Sequence, residues 1–418
     1  MTEPVADPSR IHSCRSCGAG LEHVFVDLGQ SPLANSFLSE ADLQQPEAEY
    51  PLRVLVCDAC LLVQLPEFES PDKIFTDYAY FSSYSQSWLD HARRYADEMT
   101  TRFGLGRTSK VVEVASNDGY LLRFFKDQSV PVLGIEPAAN VAEAALAAGI
   151  DTRVEFFGEQ TATRLLETEG AADLLLGNNV LAHVPDLNDF VRGLRVLLAP
   201  DGVITMEFPH VMRLIERNQF DTIYHEHFSY FSLGTVQRVF ARHGLEVFDV
   251  DELPTHGGSL RVYAAHADSK AHSESAAVAR ILATESGRSL DTLEGYSHFE
   301  PRVRSTRDKL LEFINSLKAE GSSVAGYGAP AKGNTLLNYC GIGPDTLDYT
   351  VDKNPHKQGK FLPGSRIPVF APERLRQTKP EYVFVLPWNL RDEISAEWAE
   401  IKDWGARFFV AIPEIEVL

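Results

Sequence analysis

The sequence predicts an α/β protein with two Rossmann-like sheets in tandem behind a small metal-binding lobe. Three observations carry this expectation. Two Cys-x2-Cys pairs lie near the amino terminus, a strand–turn–helix pattern spans Lys110–Leu122, and a second, glycine-rich one spans Ser323–Asn334. At about 150 residues per domain, 418 residues suffice for two to four domains. A hydrophobic content of 44% and an aromatic content of 10% supply ordinary cores. With 59 acidic against 39 basic side chains the net charge is −20, and such a surface repels phosphate backbones, so no nucleic-acid partner is expected. No apolar run approaches the ~18–20 residues of a membrane helix, so no membrane partner is expected. Met1–His12 has no apolar signal core, which predicts a cytoplasmic protein. No heptad repeat marks an oligomer, and no low-complexity segment or internal duplication is visible.

The cysteines come first. Cys14 and Cys17 form one pair, Cys57 and Cys60 another, with 39 residues between them. Four thiolates close a tetrahedral zinc site with no open position, so the expected metal is structural and steadies a short lobe, residues 1–75. Unrelated reduced thiols or one redox pair are the plainer readings, but two pairs in a chain with only five cysteines favour zinc. Asp77–Ser87 follows as a hydroxyl-rich stretch holding Tyr78, Tyr80, Ser82 and Ser83, readable as a surface loop or as a flap over a polar ligand. A helical pattern runs from Trp88 to Phe103.

The central domain, residues 76–268, opens with the buried strand, tight turn and helix start of Lys110–Leu122. Its next strand ends in Glu136, 17 positions after Gly119. An acid in that place takes ribose hydroxyls while the turn lets backbone approach the ligand. Further strands are expected in Ala172–His183, which ends in polar residues, near Pro200–Phe208, and in adjacent segments Leu245–Leu253 and Ser259–Ala265. A sheet that finishes with two neighbouring strands and no crossover helix matches the class I methyltransferase Rossmann-like sheet, whose cofactor is S-adenosylmethionine, better than the nicotinamide one. The expected cofactor contacts are Glu113, Ala115, Asn117, Asp118 and Gly119 in the turn, Glu136 and Pro137 after the second strand, and Asn178 and Asn179 in the polar end of the segment that begins at Ala172. Ala115 stands where such turns usually carry glycine.

Residues 269–320 read as a helical connector. Residues 321–418 read as a second Rossmann-like domain, in which Gly326, Gly328 and Lys332 suit a phosphate at a helix amino terminus. Ala331 completes a G-x-G-x-x-A pattern, so a nicotinamide site stays open on this evidence. Cys340 lies in an apolar stretch and reads as core.

The ordered set of fragments resembles the sugar C-methyltransferases, which use S-adenosylmethionine to methylate a ring carbon of a nucleotide-linked 4-keto-deoxysugar. The resemblance spans nearly the whole chain: the cysteine pairs, Ser31–Phe37, the Tyr-Ser stretch, Glu113–Gly119, Tyr224–Tyr230, Thr255–Arg261 and Gly326–Asn334. It implies a zinc lobe, a methyltransferase domain and a carboxy-terminal domain that helps hold the sugar nucleotide. Carbon methylation beside a ketone needs a base tuned near working pH and a donor to the developing enolate oxygen. By similarity His227 is the base, Glu226 its orienting partner or a proton shuttle, and Tyr224 the donor, with Tyr80 and His183 as second donors. His225 is the competing base or a substrate contact; in an extended segment it would share a face with His227. His183 also reads as a cap for the helix near Pro185. His256, Tyr327, Lys332 and Asn334 are the further candidate substrate contacts. Ser229 breaks an H-E-x-x-H pattern, so no catalytic zinc is expected. The competing functions are O- or N-methylation of another small molecule, and a non-catalytic zinc-containing nucleotide-binding protein.

Overall fold

The computed structural model describes residues 12–70 and 81–418. In the amino-terminal lobe, β1 (His12–Ser13) and β2 (Gly20–Leu21) pair around the first cysteine knuckle. Strands β3 (His23–Ser31), β4 (Tyr50–Val56) and β5 (Val63–Gln64) follow, with the second knuckle in the β4–β5 turn.

The central domain begins with helix Gln86–Phe103, which Ser85 caps through the Trp88 N–H and Gly104 closes in the left-handed region at φ 61°. Strands β6 (Val111–Val114), β7 (Val132–Ile135), β8 (Thr152–Arg153), β9 (Ala172–Asn178) and β10 (Leu198–Pro209) alternate with helices. All four residues of β6 are buried, as expected of a strand covered on both faces. The short strand β11 (Ser229–Tyr230) leaves this sheet and pairs with β5, so the lobe's sheet runs β11-β5-β4-β3. The hairpin β12 (Leu245–Leu253) and β13 (Ser259–His266) completes the main sheet, ordered β12-β13-β10-β9-β6-β7-β8, with β13 antiparallel to both neighbours. That order and that single reversed strand are those of the class I methyltransferase sheet, as the sequence predicts.

Helices Ala276–Ser286, Glu294–Ser297 and Phe299–Ala319 lead onward. The first buries Val278 and Ile281 in the methyltransferase core. The last packs on the lobe, where Phe299 stacks on Phe25 at 4.6 Å. The carboxy-terminal sheet holds β14 (Val324–Tyr327), β15 (Thr350–Val351), β16 (Val369–Phe370), β17 (Tyr382–Val385), β18 (Arg407–Val410) and β19 (Glu416–Val417), ordered β16-β15-β14-β17-β18-β19 and parallel except for β19. Its order reverses between β14 and β17, that of the main sheet between β6 and β9. Ligands of open α/β sheets bind at such points, outside the carboxyl ends of the strands. No helix among the described residues is long and apolar enough to cross a membrane.

Candidate active site and metal centre

Both knuckles are tight turns that bring Cys14, Cys17, Cys57 and Cys60 together, with all four sulfurs within 4.8 Å of one another. The Cys14–Cys60 and Cys17–Cys57 sulfurs are 3.5 Å apart. Two ligands of a tetrahedral zinc with Zn–S near 2.3 Å lie about 3.8 Å apart, so this donor set fits zinc with little adjustment. The knuckles sit on the methyltransferase domain. Asn188 donates its amide to the carbonyls of Arg15 and Ser16, Arg238 donates to the Cys60 carbonyl, and Arg15 donates to that of Pro185. The lobe thus shares a core with that domain, whereas sequence spacing suggests a small scaffold lobe folding around its own metal.

At the reversal point of the main sheet, β6 ends in a turn with Ala115, Asn117 and Gly119 at φ 57°, 50° and 75°. Ala115 therefore takes the left-handed conformation that glycine usually fills. A Cβ at Gly119 would stand 2.8 Å from Ile150 Cγ1, so the turn closes only with glycine there. Glu136 receives the Asn117 and Ala138 N–H groups at 2.9 Å, one on each oxygen, and keeps a free lone pair on both. Pro137 follows it, part-exposed. The hydroxyl stretch ends on this turn: Ser82 N–H donates to Asn117 Oδ1 at 2.9 Å and Ser83 N–H to Asp118 Oδ2 at 3.2 Å. Tyr80 lies outside the described residues.

Among the described residues, Glu113 Oε1 and Oε2, Ser116 Oγ, Asp118 Oδ1, both Asn178 amide atoms and Asn179 Oδ1 are buried without a hydrogen-bond partner. Polar atoms left so are costly unless a ligand meets them. Gathered at the strand ends, they fit a polar nucleotide-like cofactor, which the turn, Glu136 and Asn178–Asn179 would hold. Burial, with Asp118 and Glu136 nearby, pushes the Glu113 carboxyl well above its ordinary range, so it is neutral beneath the turn.

The histidine loop is a turn, not an extended segment. The His227 N–H donates to the Tyr224 carbonyl at 2.9 Å, which sends His225 and His227 to different surroundings. His225 faces the lobe, with Nε2 3.3 Å from the Pro51 carbonyl and its ring against Tyr50 and Phe68. The competing base is thus packed toward the lobe rather than beside Tyr224 and His183. His227 is part-exposed, its ring 4.0 Å from that of Tyr224 and 4.7 Å from that of His183. A carbonyl only accepts, so His227 Nδ1–H donates to Thr222 O at 2.8 Å and Nε2 keeps its lone pair. Burial, then the neighbouring His183, holds the imidazole well below its ordinary value, hence neutral. Glu226 turns elsewhere: Asn35 donates to its Oε1 at 2.7 Å, and burial pushes the carboxyl up to about 7. The bond to His227 Nδ1 expected of Glu226 comes from the Thr222 carbonyl. His183 hydrogen-bonds the Glu226 backbone and is held to about 4 by burial; the helix cap expected of it is supplied by Asp186, which accepts from the Asp189 N–H.

His256 occupies a left-handed backbone position at φ 52° and accepts from Asn179 Nδ2 at 3.0 Å, which ties it to the cofactor turn's neighbour. The carboxy-terminal domain reaches this site through Lys332, whose ammonium lies 4.6 Å above the Trp388 ring, donates to Asn389 Oδ1 at 2.6 Å, and depresses both His227 and His256. Tyr327 and Asn334 lie elsewhere. The buried Tyr327 hydroxyl accepts from Trp398 Nε1 at 3.0 Å inside that domain's core. Buried Asn334 donates to the Ala34 carbonyl at 2.6 Å and joins the domain to the lobe. The Ser31–Phe37 stretch therefore links Glu226, through Asn35, to the second sheet. Four residues of this arrangement are not among the sequence-derived candidates: Asn35 lies within the Ser31–Phe37 fragment and Thr222 just before Tyr224–Tyr230, whereas no local pattern marks Asp221 or Trp388.

Three family descriptions match in succession: a proposed zinc binding domain at residues 14–75, a methyltransferase domain at 88–250, and a C-methyltransferase carboxy-terminal domain at 254–413. The C-methyltransferase NovU of Streptomyces niveus is 39% identical over 408 residues, 98% of this chain and 97% of that protein. Among solved structures, the Burkholderia thailandensis 1,6-didemethyltoxoflavin-N1-methyltransferase is 17% identical, covering 52% of this chain and 96% of that one at a TM-score of 0.36. The Synechocystis magnesium protoporphyrin IX methyltransferase is 11% identical, covering 43% and 83%, at 0.34. At these scores the two structures add nothing to the strand order described above.

Proposed function

The chain belongs to the C-methyltransferase family, and from that premise we propose that it methylates a carbon next to the ketone of a nucleotide-linked 4-keto-deoxysugar. It is a methyltransferase dependent on S-adenosylmethionine, which when bound supplies the electrophilic methyl group. The observation that carries the finer reading is the His227 Nδ1–H bond to Thr222, because a neutral imidazole with a free Nε2 is what proton removal beside a carbonyl requires.

In this reading His227 Nε2 takes the α-proton and Tyr224, packed on its ring, donates to the oxygen as the enolate forms. Neutral His183, whose single ring N–H is spent on the Glu226 backbone, packs against the base instead of serving as a second donor. The Glu226 carboxyl, held by Asn35 and pushed up to about 7 by burial, faces away from His227 and takes no step in this reading. Lys332 and His256 border the same patch from the second sheet and from the β12–β13 turn, and are suited to hold the sugar nucleotide. The four cysteines hold a structural zinc that keeps β5 against β11, the strand directly after His227.

The test is incubation with S-adenosylmethionine and a nucleotide-linked 4-keto-6-deoxyhexose, followed by mass spectrometry and NMR. A new methyl on carbon supports the reading and identifies the position. A methyl on oxygen or nitrogen overturns it in favour of another acceptor chemistry.

A further inference from the structure

The loop after β17 touches both histidine-bearing loops of the methyltransferase domain, and Trp388 makes the contact. Its Nε1–H donates to Asp221 Oδ2 at 2.6 Å. Its ring lies so close to Gly257 that a Cβ there would stand 2.6 Å from Cη2. Asp221 is completely buried and immediately precedes Thr222, whose carbonyl holds His227. The turn is closed by Thr222 Oγ1, which donates to the Gln219 carbonyl at 2.7 Å, and Gln219 Nε2 donates to the Gly257 carbonyl at 2.9 Å. The indole is thus joined to the base through its bond to Asp221, the Asp221–Thr222 backbone and the Thr222 carbonyl, and Gln219 ties the same turn to Gly257, the neighbour of His256.

A buried carboxyl costs stability unless it is paired, and here the pairing crosses a domain boundary. Burial raises Asp221, while Lys332, the indole N–H and the turn's own N–H groups oppose it. Around His227 stand His183, His256 and Lys332, with the Tyr224 ring tilted against it at 4.0 Å.

We propose that Asp221 and Trp388 are positioning residues for His227: the carboxy-terminal domain, through the indole N–H, fixes the Phe220–Thr222 turn and with it the aim of the imidazole. This rests on the reading of His227 as the base. The Thr222 carbonyl sets both the tautomer and the direction of Nε2, so a loosened turn misplaces the proton acceptor without touching the cofactor site.

Full-length variants test it. Trp388→Phe deletes the donor while keeping an aromatic ring beneath Lys332. Asp221→Ala deletes the acceptor, and Asp221→Asn retains one. With a nucleotide-linked 4-keto-6-deoxyhexose, Trp388→Phe and Asp221→Ala should lower kcat about 10- to 100-fold with KM for S-adenosylmethionine unchanged. Asp221→Asn should recover most of the loss. The Thr222 bond supports the protonated imidazole, so weakening it should move the acid limb of the pH profile to lower pH. Nitrogen NMR of histidine-labelled protein should show the single Nδ1–H tautomer of His227 giving way to a mixture in Trp388→Phe. Should Asp221→Ala fail to fold, Trp388→Phe still decides. A folded Trp388→Phe with wild-type kcat and an unchanged tautomer, beside an inactive His227→Ala, overturns the proposal. A His227→Ala with wild-type turnover overturns the base assignment beneath it.

Discussion

His227 Nδ1 and the Thr222 carbonyl oxygen lie 2.8 Å apart, and this hydrogen bond decides which imidazole nitrogen can act. With Nδ1 occupied as a donor, Nε2 carries the lone pair, and the residue is part-exposed. His225, two residues away, spends its ring on the lobe. The two histidines are therefore expected to behave differently on substitution.

His227→Ala should lower turnover by ~10²–10⁴ while S-adenosylmethionine binding, measured by calorimetry, stays close to wild type. His225→Ala should retain most turnover but lose roughly 1–3 kcal/mol of stability, because it vacates a packed site between loop and lobe. The reverse pattern would move the base to His225.

This contrast also marks how far the sequence could be read. Cysteine spacing and the strand–turn–helix motifs foretell the metal centre and both sheets, because each depends on residues a few positions apart. The choice between His225 and His227 depends on a turn closed from Tyr224 to His227 and on β11 pairing with β5, a contact across more than 160 residues. Tyr327 and Asn334 sit in a phosphate-suited motif, yet one faces Trp398 and the other Ala34, partners no local pattern exposes. Asp221 and Trp388 meet across 167 positions, so their role is visible only in the fold.

Stability should depend on pH through the buried histidines. His183, His225 and His256 are held to about 4, chiefly by burial, against 6.5 when unfolded. The unfolded chain thus binds more protons in that interval, and their contribution, full above about 6.5, is lost as pH falls toward about 4. Glu226 works in the opposite direction: raised from 4.5 to about 7, it contributes fully below 4.5 and loses that contribution as pH rises through about 7. The buried carboxyls of Asp221, Glu113 and Glu136, also raised, act in the same direction as Glu226, so the histidine share of the pH slope between 6.5 and 4 is read as a difference between variant and wild type. His225→Gln should flatten that slope by up to about 1.4 kcal/mol per pH unit. An unchanged slope would show that His225 takes its proton as readily folded as unfolded.

Zinc removal should reach the active site. Leu65 N–H donates to the Phe228 carbonyl, one residue beyond His227, and β5 pairs with β11. Cys57→Ser should abolish the metal content measured by emission spectrometry, lower the melting temperature and reduce kcat. Full turnover in a metal-free, folded variant would contradict a link between knuckle and loop.

The cofactor turn gives a separate expectation. Gly119→Val combines a left-handed backbone with a Cβ 2.8 Å from Ile150 Cγ1, so it should weaken S-adenosylmethionine binding and cost about 1–3 kcal/mol of stability. Calorimetry showing wild-type affinity would place the cofactor away from this turn.

The central claim, that His227 removes a proton beside a ketone, is tested most directly by solvent exchange. A nucleotide-linked 4-keto-6-deoxyhexose is incubated in heavy water without S-adenosylmethionine, and deuterium entering the carbon next to the carbonyl is followed by NMR. Wild-type protein should catalyse the exchange, and His227→Ala should slow it by ~10²–10⁴. Equal exchange rates in the two folded proteins would contradict the assignment.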